Sequence, residues 1–171
     1  MRINSLGFLV AALVFALDQL AKWLMIGPLS LESVGQIALL PIFNLTWTEN
    51  NGISLGLLNA STETGRWLLV AMTAAIAIGV AVWIVREKQR GDLIALGMIL
   101  GGALGNILDR VRFGYVVDFA DLHFGDFRPF LVFNVGDAAI SIAVVILLLR
   151  AFLSRKDQET GSGPEERHEH A

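Results

Sequence analysis

Cysteine is absent from this 171-residue chain, and histidine occurs only three times. Without thiols there is neither a disulfide framework nor a thiolate metal site. His168 and His170 lie in a charged tail, which leaves His123 alone in the body. A zinc site of His and Cys ligands therefore lacks its donors, and no metal or cofactor is expected. Charge is scarce as well: 17% of the residues carry it, against about 25% in ordinary soluble domains. It is also unevenly spread, because nine of the 29 charged side chains fall in Arg150 to Ala171 and twenty remain for the first 149 residues. A net charge of -3 gives no footing for nucleic acid, and a 54% hydrophobic composition excludes disorder and collagen.

What fills the chain instead is long apolar runs. Ser5 to Ile26, Trp67 to Val85, Leu93 to about Arg110 and Val135 to Leu153 each approach the roughly 20 residues that a helix needs to cross a bilayer. The first is too long for a cleaved signal peptide, contains Asp18, Gln19 and Lys22, and lacks a small-x-small cleavage site, so it reads as a retained span. One side of these spans collects Arg2, Arg86, Lys88, Arg90, Arg150, Arg155, Lys156 and Arg167; the other has Arg66, Arg110, Arg112 and Arg128. The positive-inside bias then puts both termini in the cytoplasm.

The expected fold is a mostly α membrane protein of four transmembrane helices with a small extracytoplasmic β-cap. In the first outer segment, Asn44 to Thr48 alternates apolar and polar, Asn50-Asn51-Gly52 is a turn signal, and Ile53, Leu55 and Leu57 resume the alternation, which predicts a hairpin. In the second, Tyr115 to Phe119 is β-prone, and a less regular stretch follows to Pro129, with His123 on its surface. Residues 1–153 form one domain, and 154–171 read as a disordered, charged cytoplasmic tail.

Ionisable groups inside spans cost about 2.5–3.5 kcal/mol each on insertion scales, so each calls for a reason. Here the alternating directions of the spans bring them to one depth. Asp18 and Lys22 lie in the outer half of the first run, and Asn106, Asp109 and Arg110 near the outer end of the third. Asn134 and Asp137 fall in the opening turn of the fourth, and Asp118 lies just beyond the third. Several have structural readings. Asp18 and Lys22 are i, i+4 partners able to neutralise each other, Asp109 can pair with Arg112 at i+3, and Asn106 and Arg110 are i, i+4 neighbours. Asn134 can cap the last helix, whose dipole favours Asp137 near its third residue. Gly97, Gly101 and Gly105 form a strip for close helix packing.

Asp118 and Asp137 fit such roles less well. Asp118 interrupts an apolar strand, and neither has a cation beside it in sequence. Two carboxylates a few ångströms apart cannot easily both ionise, so one keeps a proton and the pair holds a general base and a general acid together. That is sufficient chemistry to add water across a peptide bond without metal, Ser or Cys. Competing readings are a proton-coupled transporter, which calls for midplane carboxylates and internal repeats that this sequence does not show, and a serine peptidase built on Ser54 and Lys22.

Five blocks in order carry a family resemblance: Asp18-Gln19-x-x-Lys22; Asn50-x-Gly52; Gly101-Gly102-Ala103-x-Gly105-Asn106-x-x-Asp109-Arg110; Val116-Val117-Asp118-Phe119; and Phe133-Asn134-x-x-Asp137. Together they resemble the bacterial lipoprotein signal peptidases, the type II signal peptidases. Two departures are Ile53-Ser54-Leu55-Gly56, where small residues and Phe are usual, and Gly136, where Ala is usual. The resemblance implies an aspartic endopeptidase of the bacterial inner membrane with an extracytoplasmic active site. It would cut prolipoproteins just before a diacylglyceryl-modified cysteine. It also implies membrane lipid as a partner and sensitivity to globomycin-type peptide inhibitors. The implied catalytic residues are Asp118 and Asp137. Asn50, Gly52, Asn106, Arg110 and Asn134 bind substrate or support the pair, and Asp18, Lys22 and Asp109 are structural polar residues.

Overall fold

The computed structural model describes residues 5–52 and 62–161, with 154–161 described by backbone alone. In chain order the elements are α1 (Ser5–Ile26), the single turn α2 (Leu31–Val34), strands β1 (Gln36–Leu40) and β2 (Phe43–Asn50), helices α3 (Glu63–Arg86) and α4 (Arg90–Arg112), strand β3 (Val116–Leu122) and helix α5 (Val135–Gly161). Four of these helices are long and apolar enough to span a membrane: α1, α3, α4 and the Val135–Leu153 part of α5. This is the expected fold class. The last helix differs from expectation at its end, because its backbone continues to Gly161 instead of giving way to irregular chain after Leu153. Residues 155–160 are mostly Arg, Lys, Gln and Glu, which favour helix, and the first breaker is Gly161. The tail beyond it lies outside the described residues.

Helix α4 is the hub, packed against α1, α3 and α5. Of its apolar window 44% is buried, against 17–22% for the other three spans. Glycine makes this possible. A Cβ at Gly97 would collide with the Gly7 carbonyl and one at Gly105 with the Asp18 carboxylate, while one at Gly101 would stand 2.5 Å from the Ala11 carbonyl. Gly102, on the neighbouring face, would meet the Gly136 carbonyl of α5 in the same way. The expected strip therefore exists and serves α1, while Gly102 serves α5 separately. Small residues at helix contacts let backbones approach where lipid gives apolar side chains no reason to turn inward. Helix α1 shows that logic: it buries Gly7, Ala11, Asp18 and Lys22 and leaves Leu9, Leu13, Leu17, Leu20 and Trp23 facing outward. Replacing Gly101 with Val is expected to cost about 1–3 kcal/mol through overpacking. Thermal unfolding in detergent checks this, and an unchanged midpoint would contradict the tight α1–α4 contact.

The cap is a three-stranded antiparallel sheet in the order β1-β2-β3. The strand expected at Asn44 to Thr48 is present in β2, but its hairpin partner is β1, on its N-terminal side, across a turn at Pro41 and Ile42. Strand β1 was illegible because Gln36-Ile-Ala-Leu-Leu40 does not alternate and is mostly exposed. The arm expected at Ile53, Leu55 and Leu57, and Ser54 with it, lies outside the described residues. The Asn50-Asn51-Gly52 turn is real: Gly52 adopts φ 87°, and its N–H donates to Asn50 Oδ1 at 2.9 Å. An apolar cluster of Met25, Leu31, Leu45, Phe119 and Ala120 fastens the sheet to the end of α1. The Phe133 carbonyl accepts from the Phe119 and Ala120 N–H groups, and the Phe133 N–H returns to Ala120 O. This stitch holds the entry to α5 against β3.

Candidate active site

Each element delivers one part of a polar cluster at the cap end of the bundle. Strand β3 carries Asp118, set opposite Thr48 of β2. Its Oδ2 accepts from Asn50 Nδ2 at 2.9 Å and its Oδ1 from Asn134 Nδ2 at 2.6 Å. Asp137 sits at the third position of α5. Its Oδ1 accepts from Asn106 Nδ2 at 2.8 Å and its Oδ2 from the Asn134 backbone N–H at 3.3 Å, while its own N–H donates to Asn134 Oδ1 at 2.9 Å. Those last two bonds form a reciprocal cap at the start of the helix, so the capping role expected of Asn134 is present. It is only part of what the residue does. The second Asn134 Nδ2 hydrogen goes to Asn106 Oδ1 at 3.1 Å, so one buried amide touches Asp118, Asp137 and Asn106.

Burial raises the Asp118 carboxyl from 3.8 to about 7, and the charge of Asp137 adds to the rise. The N–H donors of Asn50 and Asn134 and the charge of Lys22 oppose it. Asp118 is 1% exposed, which explains why desolvation outweighs two good hydrogen bonds. A carboxyl in that position holds or releases its proton near neutrality.

Beneath this pair lies a buried ion cluster. Lys22 Nζ is 2.8 Å from Asp18 Oδ2, 2.7 Å from Asp109 Oδ2 and 3.1 Å from Asn106 Oδ1, which uses all three of its hydrogens. The Asp18–Lys22 pairing is as expected. The expected Asp109–Arg112 pairing is not found: Asp109 points inward to α1, and Arg112 instead lies over the Phe113 ring at 4.8 Å. The i+3 spacing suggested a local partner, whereas close α1–α4 packing at Gly105 supplies a stronger one across the bundle. The carboxylates reach further. Asp18 Oδ1 accepts from the Gly136 N–H at 2.9 Å, and Asp109 Oδ2 accepts from the Val117 N–H at 3.1 Å.

Arg110 makes one long bond, from Nη1 to the Asn106 carbonyl at 3.5 Å, and its Nε is buried with no hydrogen-bond partner among the described residues. Sequence reasoning assigned no role to Gln19, whose Nε2 bridges Asp18 Oδ2 and Asp109 Oδ1, each at 3.2 Å. It also missed Asp121, which is 1% exposed and joined to Thr46 Oγ1 at 3.0 Å and to Arg128 Nε at 3.1 Å. Gln19 lies inside the first motif and its polarity within a span was a usable signal; Asp121 had none beyond its strand.

An apolar cavity of about 310 Å³ opens beside Asp137, lined by Phe130, Phe133, Ala138, Ser141 and Ile142. Phe130 and Ile142 are exposed, so the cavity reaches the outer surface of α5. A more polar cavity of about 350 Å³ is bounded by Asn51, Arg66 and Tyr115 among others, and by neither carboxylate of the pair.

Four spans, a small sheet seated on one end, and two carboxylates brought into one polar cluster there, Asp118 from the sheet and Asp137 from α5, define a multi-pass membrane enzyme. Two solved structures share that fold, each a bacterial membrane enzyme determined by the in meso method. One, at 2.3 Å resolution, has a TM-score of 0.74 and 26% identity and covers 94% of each chain; the other, at 1.9 Å, has a TM-score of 0.71 and 27% identity over 85% of this chain and 91% of its own. The family model for Signal peptidase (SPase) II matches residues 10–153. A lipoprotein signal peptidase of Sphingopyxis alaskensis is 61% identical over 147 residues, covering 86% of this chain and 85% of its own. That of Rhizorhabdus wittichii is 58% identical over 153 residues, covering 90% and 89%. The chain belongs to the signal peptidase II family, the lipoprotein signal peptidases, proteases that cleave signal peptides from prolipoproteins.

Proposed function

We propose that the protein is an aspartic endopeptidase in which Asp118 and Asp137 form the catalytic pair, and that it cuts prolipoproteins just before a diacylglyceryl-modified cysteine. The observation that carries the assignment is the single Asn134 side chain that binds both carboxyl-bearing residues, with Asp118 raised to about 7. A pair held this way shares one proton. The ionised member takes a proton from water as the oxygen attacks the scissile carbonyl, and the protonated member gives its proton to the carbonyl oxygen. Collapse of the tetrahedral species returns a proton to the leaving amine. Asn106 and Asn134 hold the two carboxylates, and Asn50, fixed by the turn at Gly52, orients Asp118. Arg110 retains N–H groups that can receive a substrate carbonyl.

The substrate's lipid supports the same reading. Acyl chains anchored in the bilayer keep the cysteine at the membrane surface, which is the level of the cap, and the apolar cavity beside Asp137 opens toward lipid. With Lys and Arg concentrated at the far end of the bundle, the cap and the carboxylates face the outside of the bacterial inner membrane and both termini face the cytoplasm. A globomycin-type peptide, apolar and amide-rich, suits the same cleft. In detergent, the purified protein is expected to cleave a diacylglyceryl-modified prolipoprotein and to leave its unmodified counterpart intact. Mass spectrometry of the product N-terminus checks the position of the cut. Equal cleavage of the unmodified protein would contradict the lipid requirement.

A further inference from the structure

Three buried charges take no part in the proton transfers above. Asp18, Lys22 and Asp109 are 0%, 2% and 0% exposed, and they bring two carboxylates to one ammonium. Mutual neutralisation would account for one carboxylate and one ammonium, but not for where the remaining oxygens point. Asp18 grips the N–H of Gly136, the residue before Asp137. Asp109 grips the N–H of Val117, the residue before Asp118. Lys22 joins those two carboxylates and also holds Asn106, which donates to Asp137. The cluster thus ties the backbone on one side of each member of the pair to a common centre, drawing on α1, α4, β3 and α5 at once. Gln19 closes the ring by bridging Asp18 and Asp109.

We infer that Lys22, with Asp18 and Asp109, is a positioning device that sets the separation of Asp118 and Asp137 and thereby the strength with which they share a proton. The inference rests on the assignment of that pair as catalytic. Its physical content is that two backbone N–H groups flanking the pair have no freedom to drift while one ammonium holds both of their acceptors. Arg110, on α4, makes no ion pair with the cluster among the described residues, although its charge acts on Asp137, Asp118 and Asp109; Lys22 alone of the two bonds both Asp18 and Asp109.

Loosening the device should move the carboxylates apart. Like-charge coupling then weakens, so the upper ionisation of the pair falls and the basic limb of the pH–rate profile shifts to lower pH. Displacement of this kind lowers kcat by about 10- to 100-fold while KM for the lipidated substrate stays near the parent value. The test is the pH dependence of kcat for Asp109→Asn and Lys22→Met, purified in detergent and corrected for the folded fraction, beside Gln19→Leu, which leaves the ion pairs intact and serves if the charge variants do not fold. A lowered kcat with an acid-shifted basic limb is expected in Asp109→Asn and, smaller, in Gln19→Leu; in Lys22→Met the loss of a cation that lowers Asp118 opposes that shift, and the lowered kcat is the expected result there. Asp18→Asn, which keeps an acceptor for the Gly136 N–H, should retain more activity than Asp18→Leu. Variants that unfold more easily yet keep the parent kcat and pH profile would overturn the inference and leave the cluster a purely structural one. Full activity in Asp118→Asn would instead overturn the catalytic assignment on which it rests.

Discussion

Asp118→Asn and Asp137→Asn should each lower kcat by about 10³-fold or more, because each removes one half of the proposed acid–base pair, and such groups contribute roughly 10²- to 10⁴-fold apiece. Asn preserves the shape of the carboxylate and one acceptor, so the loss should appear with the fold intact and with KM little changed. The Asp118 variant carries a second expected result. The folded protein holds the Asp118 proton more tightly than the unfolded chain does, so the contribution of this group to stability is fully present below its ordinary value of 3.8 and is lost as the pH rises through about 7. Above that point the parent keeps a poorly solvated carboxylate, whereas the variant has a neutral amide. Asp118→Asn is therefore expected to unfold at a higher temperature than the parent at alkaline pH and to show no such gain in acid. A variant that loses activity and becomes less stable at every pH would point to a structural role instead.

The second large effect is expected at Asn134. Its side chain donates to Asp118 Oδ1, bridges to Asn106 Oδ1 and accepts the Asp137 N–H. Truncation in Asn134→Ala removes the helix cap, which costs about 1 kcal/mol, and leaves buried donors and acceptors without partners at a further cost of about 1–3 kcal/mol. Activity should fall by about 10²-fold or more because the Asp118 carboxyl loses a donor and Asn106, which holds the Asp137 carboxyl, loses its partner. Asn134→Asp tests the chemistry separately from the cap. An Asp at this position can still accept the Asp137 N–H, but it places a third carboxyl beside Asp118 in place of a donor. A loss of activity well beyond what the lower folded fraction explains is the expected outcome; stability and activity falling in proportion would mean that capping is all Asn134 does.

How much of the fold and site was legible in the sequence depended on how local each interaction is. The spans declared themselves by length and hydropathy, and the Asp18–Lys22 pair and the Asn134–Asp137 cap by helical spacing. The convergence of polar groups on one level followed from alternating helix direction alone. Asp109 misled because its real partner lies on another helix, brought within reach by Gly105, and spacing within α4 cannot show that. Strand β1 was missed because its side chains are mostly exposed, so it lacks the alternation a half-buried strand would have. The link from Asn50 to Asp118 joins residues 68 apart and depends on the β2–β3 register, which carries a bulge. Local chemistry named the two carboxyls; only the packing showed which amides and which buried charges hold them.

Catalysis by this pair requires two carboxyls that share a proton near neutral pH. Infrared spectroscopy of the carboxyl C=O stretch during a pH titration reads that proton directly. The parent protein should show a protonated carboxyl that disappears with a midpoint near 7, missing in Asp118→Asn and shifted to lower pH in Asp137→Asn, where the neighbouring charge is gone. A parent spectrum with no carboxyl titrating near neutrality, or a band that survives unchanged in both variants, would contradict it.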